Sequence, residues 1–315
     1  MQVHYGLENI TQLPYSVVTS GTFDGVHIGH QKILNRLREV VMSIREIHAQ
    51  YAESVVITYH PHPRLVLTPE QGNLHLLSTL EEKISLMEQY EVNHFLIIPF
   101  NKEFSQMSSA DFIQNIIINK LNTKKLVIGY DHRFGKNREG SFEYLQANQH
   151  LYPFEIEEIP RQDIDHVGIS STKIRNALNE GRVEIANEYL GHTYRLSGKV
   201  IKGNQIGRTI GYPTANLEIS DPHKLIPSDG IYAVRVIHQS LIYKGMLYIG
   251  TRSTLGEGLQ RTIEVNIFDF DQEIYEQTLT LEFVALLRKE IKFDNIEAMK
   301  IQLVIDKENA LKKLK

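Results

Sequence analysis

Within ten residues, Gly21-Thr-Phe-Asp-Gly-Val-His-Ile-Gly-His30, the chain gathers three glycines, an aspartate and two histidines. Gly21, Gly25 and Gly29 let backbone approach a ligand closely, and Thr22, Phe23 and Asp24 ride on the same loop. The string follows a β-branched run and opens a helical pattern, so N–H groups at the helix start would face an anion. His27 and His30 are three apart, which sets both on one side of the first helical turn. Imidazoles aimed at an α-phosphate stabilise the charge that builds up during its displacement. A tight turn with two exposed histidines is the plainer alternative. Zinc is weaker still, because no third ligand stands at a recognisable spacing.

A second constellation lies downstream. Gly203-Asn-Gln-Ile-Gly-Arg-Thr-Ile-Gly-Tyr-Pro-Thr-Ala-Asn216 sets Gly203, Gly207 and Gly211 beside a basic residue, as a phosphate-cradling loop would. Thr214 and Asn216, after Pro213, alternate in what should become a strand and so point the same way. Such hard oxygen ligands suit magnesium, which keeps several waters and the substrate phosphates. A β-turn with Asn216 bonding backbone is the alternative. Glu264 stands between Ile263 and Val265 in a strand pattern. It is either a general base for phosphoryl transfer or part of a solvated face or ion pair, with Arg261 or Arg288 as partner.

These residues need elements to position them, and the chain supplies two rhythms. Up to about Leu190, short apolar runs (Ser16–Thr19, Ser54–Thr58, Phe95–Ile98, Lys125–Gly129 and Phe154–Glu158) alternate with helical patterns. The first of those helices carries Ile33, Leu34, Leu37, Val40, Val41 and Ile44 as one stripe. Repeated strand–helix alternation predicts a doubly wound parallel α/β domain, with ligands at the carboxyl ends of its strands. After Gly191 the segments Tyr194–Ile201, Gly230–His238, Leu241–Thr251, Arg261–Asp269 and Thr278–Leu287 read as strands of an antiparallel sandwich or barrel. A helix from about Asn295 to Leu314 closes the chain, bearing Ile296, Met299, Leu303 and Leu311, and its terminal Lys312, Lys313 and Lys315 suit a helix C-terminus without further partners. The boundary is expected near 185–192, giving domains 1–185 and 186–315.

The Gly21–His30 string resembles the HxGH signature of the nucleotidyltransferase superfamily. Class I aminoacyl-tRNA synthetases pair a looser form of it with a KMSKS loop. This chain instead has Gly168-Ile-Ser-Ser-Thr-Lys-Ile-Arg175, which looks like the SSTxIR motif of the nucleotidyltransferases. Ser170, Ser171 and Thr172 can cap the following helix and also hold a triphosphate, with Arg175 countering its charge. Tyr59-His-Pro-His-Pro-Arg64 and Gly129-Tyr-Asp-His-Arg-Phe-Gly-Lys136 resemble the FDPHP and GxDFRFG stretches of flavin-nucleotide adenylyltransferases, with His60 in place of aspartate and His132 in place of an aromatic. The resemblance implies that His62, Pro63, Asp131 and Phe134 lie against flavin. In the second half, GYPTAN, GIYAV, GMLYIGTR, TIEVNIF and LLRKE resemble riboflavin kinase, with Ser253 where proline and Glu276 where glycine are usual. That resemblance implies a six-stranded antiparallel β-barrel with a terminal helix. It also implies Thr214 and Asn216 on Mg2+ and ATP, Glu264 as the base, and Arg288 near the flavin.

Together these implications describe a bifunctional enzyme using riboflavin, FMN and ATP and releasing FAD, with Mg2+ as cofactor. The other readings are a degenerate, regulatory flavin-binding first domain and a nucleic-acid-binding one. The absent KMSKS loop and a net charge of −4 disfavour the latter. The 315 residues are 42% hydrophobic and 23% charged with no cysteine, which excludes disulfides, thiolate metal sites and cysteine nucleophiles. No signal peptide and no run near the roughly 18 apolar residues of a membrane span are visible, so a cytoplasmic enzyme without a membrane partner is expected. The sequence does not set the oligomeric state.

Overall fold

A computed structural model describes residues 1–48, 51–69, 74–160, 168–203, 207, 211–254 and 257–315, the side chains of 48, 252–254 and 257–260 lying outside the description. Two compact units divide the chain, Met1–Ser170 and Ser171–Lys315.

In the first unit six parallel strands form one sheet in the order β1-β4-β3-β2-β5-β6. They are β1 (Gln2–Tyr5), β2 (Ser16–Ser20), β3 (Glu53–His60), β4 (His94–Pro99), β5 (Thr123–Gly129) and β6 (Glu155–Ile159). From β2 the chain runs outward through β3 and β4, then returns to β2's other side for β5 and β6. The strand order therefore reverses between β2 and β5, and the crevice of a doubly wound sheet opens there. Alternation along each strand feeds two cores. Val17, Val56 and Val127 join one cluster with α1 (Ile28–His48) and with Leu86 and Met87, after the short α2 (Pro63–Leu67), from α3 (Leu80–Glu88). Val18, Val55, Ile57, Leu126 and Ile128 join the other, against Phe112, Ile113, Ile116 and Ile117 of the helical segment Phe112–Lys120. A further short helix, α4 (Phe142–Ala147), leads into β6. Five of these strands match the apolar runs. The four-residue β1 is too short for a periodic signal.

The second unit opens with α5 (Ser171–Asn179) and α6 (Val183–Leu190) and closes with α7 (Ile296–Lys313). Between them, antiparallel strands close a barrel in the order β10-β11-β8-β7-β12-β9. They are β7 (Tyr194–Ile201), β8 (Ala215–Glu218), β9 (Gly230–His238), β10 (Leu241–Thr254), β11 (Glu257–Ile267) and β12 (Thr278–Arg288). Gly191 ends α6 in the left-handed region, at φ 73°, as a helix-terminating glycine does. The compact division falls earlier than the expected 185–192 because α5 and α6 pack on the barrel. Asn187 Nδ2 donates to the Phe283 carbonyl at 2.8 Å, and the Ser228 N–H donates to the Leu178 carbonyl at 3.1 Å. Strand rhythm marks where the barrel starts, not which body its leading helices join. The apolar set on α7 also splits. Leu303 packs beside Phe268 and Ala310, whereas Ile296 and Leu311 are exposed. Lys313 has a partner after all, Glu184 at 3.6 Å. Glu276, where the resembling family has glycine, takes φ 66°, a conformation that glycine adopts without a Cβ penalty.

Candidate functional site

In the first unit the loop after β2 makes an unusually tight turn before α1. Phe23, Gly25 and Val26 all have positive φ, at 48°, 79° and 41°. For non-glycine residues such backbone costs about 1–3 kcal/mol each and persists only where the surroundings over-determine it. Here they do. Asp24 Oδ1 accepts from the N–H groups of Leu77 (2.9 Å) and Ser78 (3.2 Å), and the Gly25 N–H donates to Ser78 Oγ (3.1 Å). Phe23 is buried in the core against α1. The side chains of Phe23 and Asp24, which the sequence suggests as nucleotide-binding, brace the loop here.

At the start of α1, His27 and His30 stack with ring centroids 3.7 Å apart and 15° between planes, and Phe23 meets His30 edge-on at 5.2 Å. The exposed-histidine alternative fails, since His27 is 7% exposed. Burial first, then the neighbouring His27 and Lys83, hold His30 well below the usual imidazole range. His30 is therefore neutral at pH 7, able to donate one hydrogen bond without bringing a charge.

Across the crevice, Ser20 ends β2 and His132 follows β5, with Ser20 Oγ 3.0 Å from His132 Nε2. Burial pulls His132 down to about 4, helped by Arg133 and Arg138, and pushes the Tyr59 phenol up to about 12. Asp131 is exposed beside them. Phe134 is not a free platform for a flavin: it is buried on Phe112, 5.4 Å away, and stacks with His132 at 5.6 Å. His62 caps α2, its Nδ1 accepting from the Arg64 N–H at 3.2 Å, and Pro63 is the first helical residue. Ser170 ends the first unit, while Ser171, Thr172 and Arg175 sit on α5 of the second.

In the second unit a cavity of about 540 Å³ joins polar and apolar walls. In the ladder β9-β10-β11-β8, Tyr248 lies opposite Ile231, Glu264 opposite Tyr248, and Asn216 opposite Glu264. Directly paired residues share a face of the sheet, so this polar row looks one way. Thr214, Tyr248, Glu264 and Asn266 all line the cavity. Glu264 is 6% exposed, which rules out the solvated-face alternative; its Oε2 lies 3.3 Å from Thr214 Oγ1, which donates to it. The ion-pair partners suggested by the sequence are engaged elsewhere: Arg261 Nε donates to Asp229 at 2.8 Å, and Arg288 grips Asp306 through Nε at 3.0 Å and Nη2 at 2.7 Å. Arg288 still lines the cavity, but as a tie between β12 and α7.

Pro213's carbonyl accepts from Asn266 Nδ2 at 2.7 Å, and Gly207's carbonyl accepts from the Tyr212 N–H at 2.8 Å. A Cβ on Gly207 would collide with the Tyr212 carbonyl, and Gly211 has φ 83°, so both glycines answer to backbone constraints. Arg208 lies outside the described residues, as does the side chain of Ser253. Sequence reasoning missed Asn266 and the pair Tyr248–Glu290, whose hydroxyl and carboxylate meet at 2.6 Å. Alternation over Arg261–Ile267 sets Asn266 on the same face as Glu264 and is the signal that would add it to the site.

A family model described as FAD synthetase matches residues 9–173, and one described as riboflavin kinase matches residues 190–314. The bifunctional riboflavin kinase/FMN adenylyltransferase of Haemophilus influenzae is 36% identical over 313 residues, covering 98% of this chain and 98% of its own. The Bacillus subtilis protein of the same name is 35% identical over 301 residues, covering 94% and 92%. A crystal structure described as a macrolide-efflux protein from Streptococcus pneumoniae matches with a TM-score of 0.85 at 30% identity, covering 98% of both chains. That description belongs to the other protein; among the described residues here, no helix is long and apolar enough to cross a membrane. With one enzyme family matched over each half and curated relatives matched from end to end, the chain belongs to the bifunctional riboflavin kinase/FMN adenylyltransferases, which make FMN from riboflavin and ATP and then FAD from FMN and ATP.

Proposed function

We propose that the barrel unit carries the kinase reaction on the face shared by Thr214, Asn216 and Glu264. The buried position of Glu264 in the cavity wall is the observation that carries this assignment. Riboflavin's terminal ribityl hydroxyl attacks the γ-phosphorus of ATP, its proton passes to the Glu264 carboxylate, and ADP leaves. Geometry comes before acidity in choosing a general base, and Glu264 lines the cavity that would receive the hydroxyl. The apolar side of the cavity, including Met246, Ile291 and Phe293, would take the isoalloxazine ring, with Arg288 beside it. Thr214 and Asn216 offer neutral oxygens on the same face as a carboxylate, a donor set that fits magnesium. When bound, the ion would offset the charge on the ATP phosphates.

The first unit is proposed to carry FMN adenylylation at the crevice between β2 and β5. The FMN phosphate is already a nucleophile and needs no base. It attacks the α-phosphorus of ATP and pyrophosphate leaves, so catalysis is positioning and charge stabilisation. His27 and His30 would donate to the α-phosphate, with Gly21, Thr22, Gly25 and Gly29 shaping the loop. Asp131 follows β5, and His62 and Pro63 follow β3 on the other side of β2; their flavin-binding role rests on the family resemblance. The nucleotide role of Ser170, Ser171, Thr172 and Arg175 rests on the SSTxIR resemblance. A cytoplasmic location accords with a reaction that consumes ATP.

The defining experiment incubates the protein with riboflavin, ATP and magnesium and resolves FMN and FAD by chromatography. Both products should appear. Chelation with EDTA should stop both steps, excess magnesium should restore them, and metal analysis should find no stoichiometric zinc. Zinc whose removal abolishes activity would contradict the assignment.

Separability has its own test. A 186–315 fragment holds every proposed kinase residue, and it should form FMN. It should also unfold at lower temperature than a 171–315 fragment, because it lacks α5 and the Leu178 carbonyl that accepts from Ser228. Equal melting temperatures by circular dichroism would show that α5 contributes nothing to the barrel unit. A folded fragment that binds neither riboflavin nor ATP would place the kinase site elsewhere.

A further inference from the structure

Lys83, on α3, is 7% exposed, although lysine almost always keeps its ammonium in water. Its Nζ donates to the Thr22 carbonyl at 2.7 Å, and Thr58 Oγ1 reaches the same oxygen at 3.3 Å. Thr22 immediately precedes the strained turn at Phe23, Gly25 and Val26. A neighbouring segment, Leu77–Lys83, holds much of that turn. Leu77 and Ser78 bind Asp24 and Gly25, and Thr79 and Glu82 cap α3 reciprocally, at 3.2 Å and 3.0 Å. Lys83 then follows, and this segment sends its ammonium to the loop. A buried ammonium is costly unless it is hydrogen-bonded and near opposite charge, and an apolar side chain would fill the same space more cheaply. Its charge does reach the reactive end of the loop, where it acts with His27 to depress His30.

We propose that Lys83 is a positioning residue of FMN adenylylation: its ammonium holds the Thr22 carbonyl inward and so aims the Gly21–His30 loop at the ATP phosphates. The peptide plane makes this mechanical. With the Thr22 carbonyl turned toward α3, the N–H of Phe23 in the same plane must point the opposite way. The ammonium also adds a positive field behind a loop that receives a polyanion. Burial lowers Lys83 to about 8, opposed by Asp24. The groups that face it are therefore Asp24, which favours its charge, and the neutral His30. As the pH rises through 8 the ammonium loses its proton, and the loop loses that support.

The inference rests on the adenylylation site assigned above. In the full-length enzyme, Lys83→Met should lower kcat/KM for FAD formation about 10–100-fold and leave FMN formation unchanged. Wild-type kcat/KM for FAD formation should fall on an alkaline limb near pH 8, and Lys83→Met should lack that limb. Lys83→Arg keeps a cation that does not titrate there, so it should retain more activity than Lys83→Met and lack the limb as well. The proposal is overturned if Lys83→Met makes FAD within threefold of wild type, if it keeps the alkaline limb, or if it loses both activities together. If His27→Ala leaves FAD formation intact, the site assignment falls, and this inference falls with it.

Discussion

Glu264→Gln should abolish FMN formation from riboflavin while adenylylation of supplied FMN continues. Glutamine keeps the shape of the side chain and can still accept from Thr214 Oγ1, now 3.3 Å from the carboxylate. The cavity wall is thus unchanged, and what disappears is the proton acceptor. Loss of a positioned base costs about 10²–10⁴ in rate. Because proton acceptance matters only in the transition state, kcat should fall with little change in KM for riboflavin. Thr214→Ala and Asn216→Ala should show a different pattern, with KM for magnesium-ATP raised, since those residues act on binding. Kinase activity within a few-fold of wild type in Glu264→Gln would remove Glu264 from the mechanism. Rescue by supplied FMN in a coupled assay, by contrast, would show the other site intact.

Much of this architecture can be read along the chain, because period is a local property. Tyr194–Ile201 and Gly230–His238 are strands with the boundaries their alternation predicts. The α1 stripe Ile33, Leu34, Leu37, Val40 and Val41 does enter the core. The motif residues are legible for the same reason, since glycine, histidine and proline punctuate a short stretch. What is lost is burial of polar groups, which depends on what arrives from far along the sequence. Lys83 lies in Leu-Glu-Glu-Lys-Ile, which reads as the charged face of a surface helix, and only the Thr22 carbonyl 61 residues away reveals its role. Asp306 likewise sits among Lys and Glu on the last helix yet is 1% exposed, because Arg288 reaches it from β12. Glu264, between Ile263 and Val265, reads in the sequence equally as a base or as part of a solvated face, and its burial in the cavity wall removes the second reading.

His27→Ala and His30→Ala should each reduce FAD formation about 10²–10³-fold and leave FMN formation intact, the loss expected for one preorganised stabiliser. The stacked rings, 3.7 Å apart, make the two histidines a unit. Removing either leaves the other without its packing partner, so the double variant should lose scarcely more than the worse single variant. The pH dependence gives a second reading. His30 is depressed first by burial and then by His27 and Lys83, so it stays neutral as pH falls through the usual imidazole range. His27→Ala removes one depressing neighbour and opens the site to water, which moves His30 back up toward 6.5. In that variant His30 should therefore gain a proton at mildly acidic pH, where the native His30 stays neutral, so the pH profile of the residual FAD activity should differ from that of the wild type there. His30→Asn keeps an N–H donor and a similar reach, and it should recover part of the activity lost in His30→Ala. FAD formation at a near-normal rate in the alanine variants would make the HxGH string a structural brace, leaving the first unit as a flavin-binding module that regulates the kinase. Retention of FMN formation in the same preparations shows that ATP and magnesium are competent, and an unchanged circular-dichroism spectrum and melting profile shows that the first unit, Met1–Ser170, has folded.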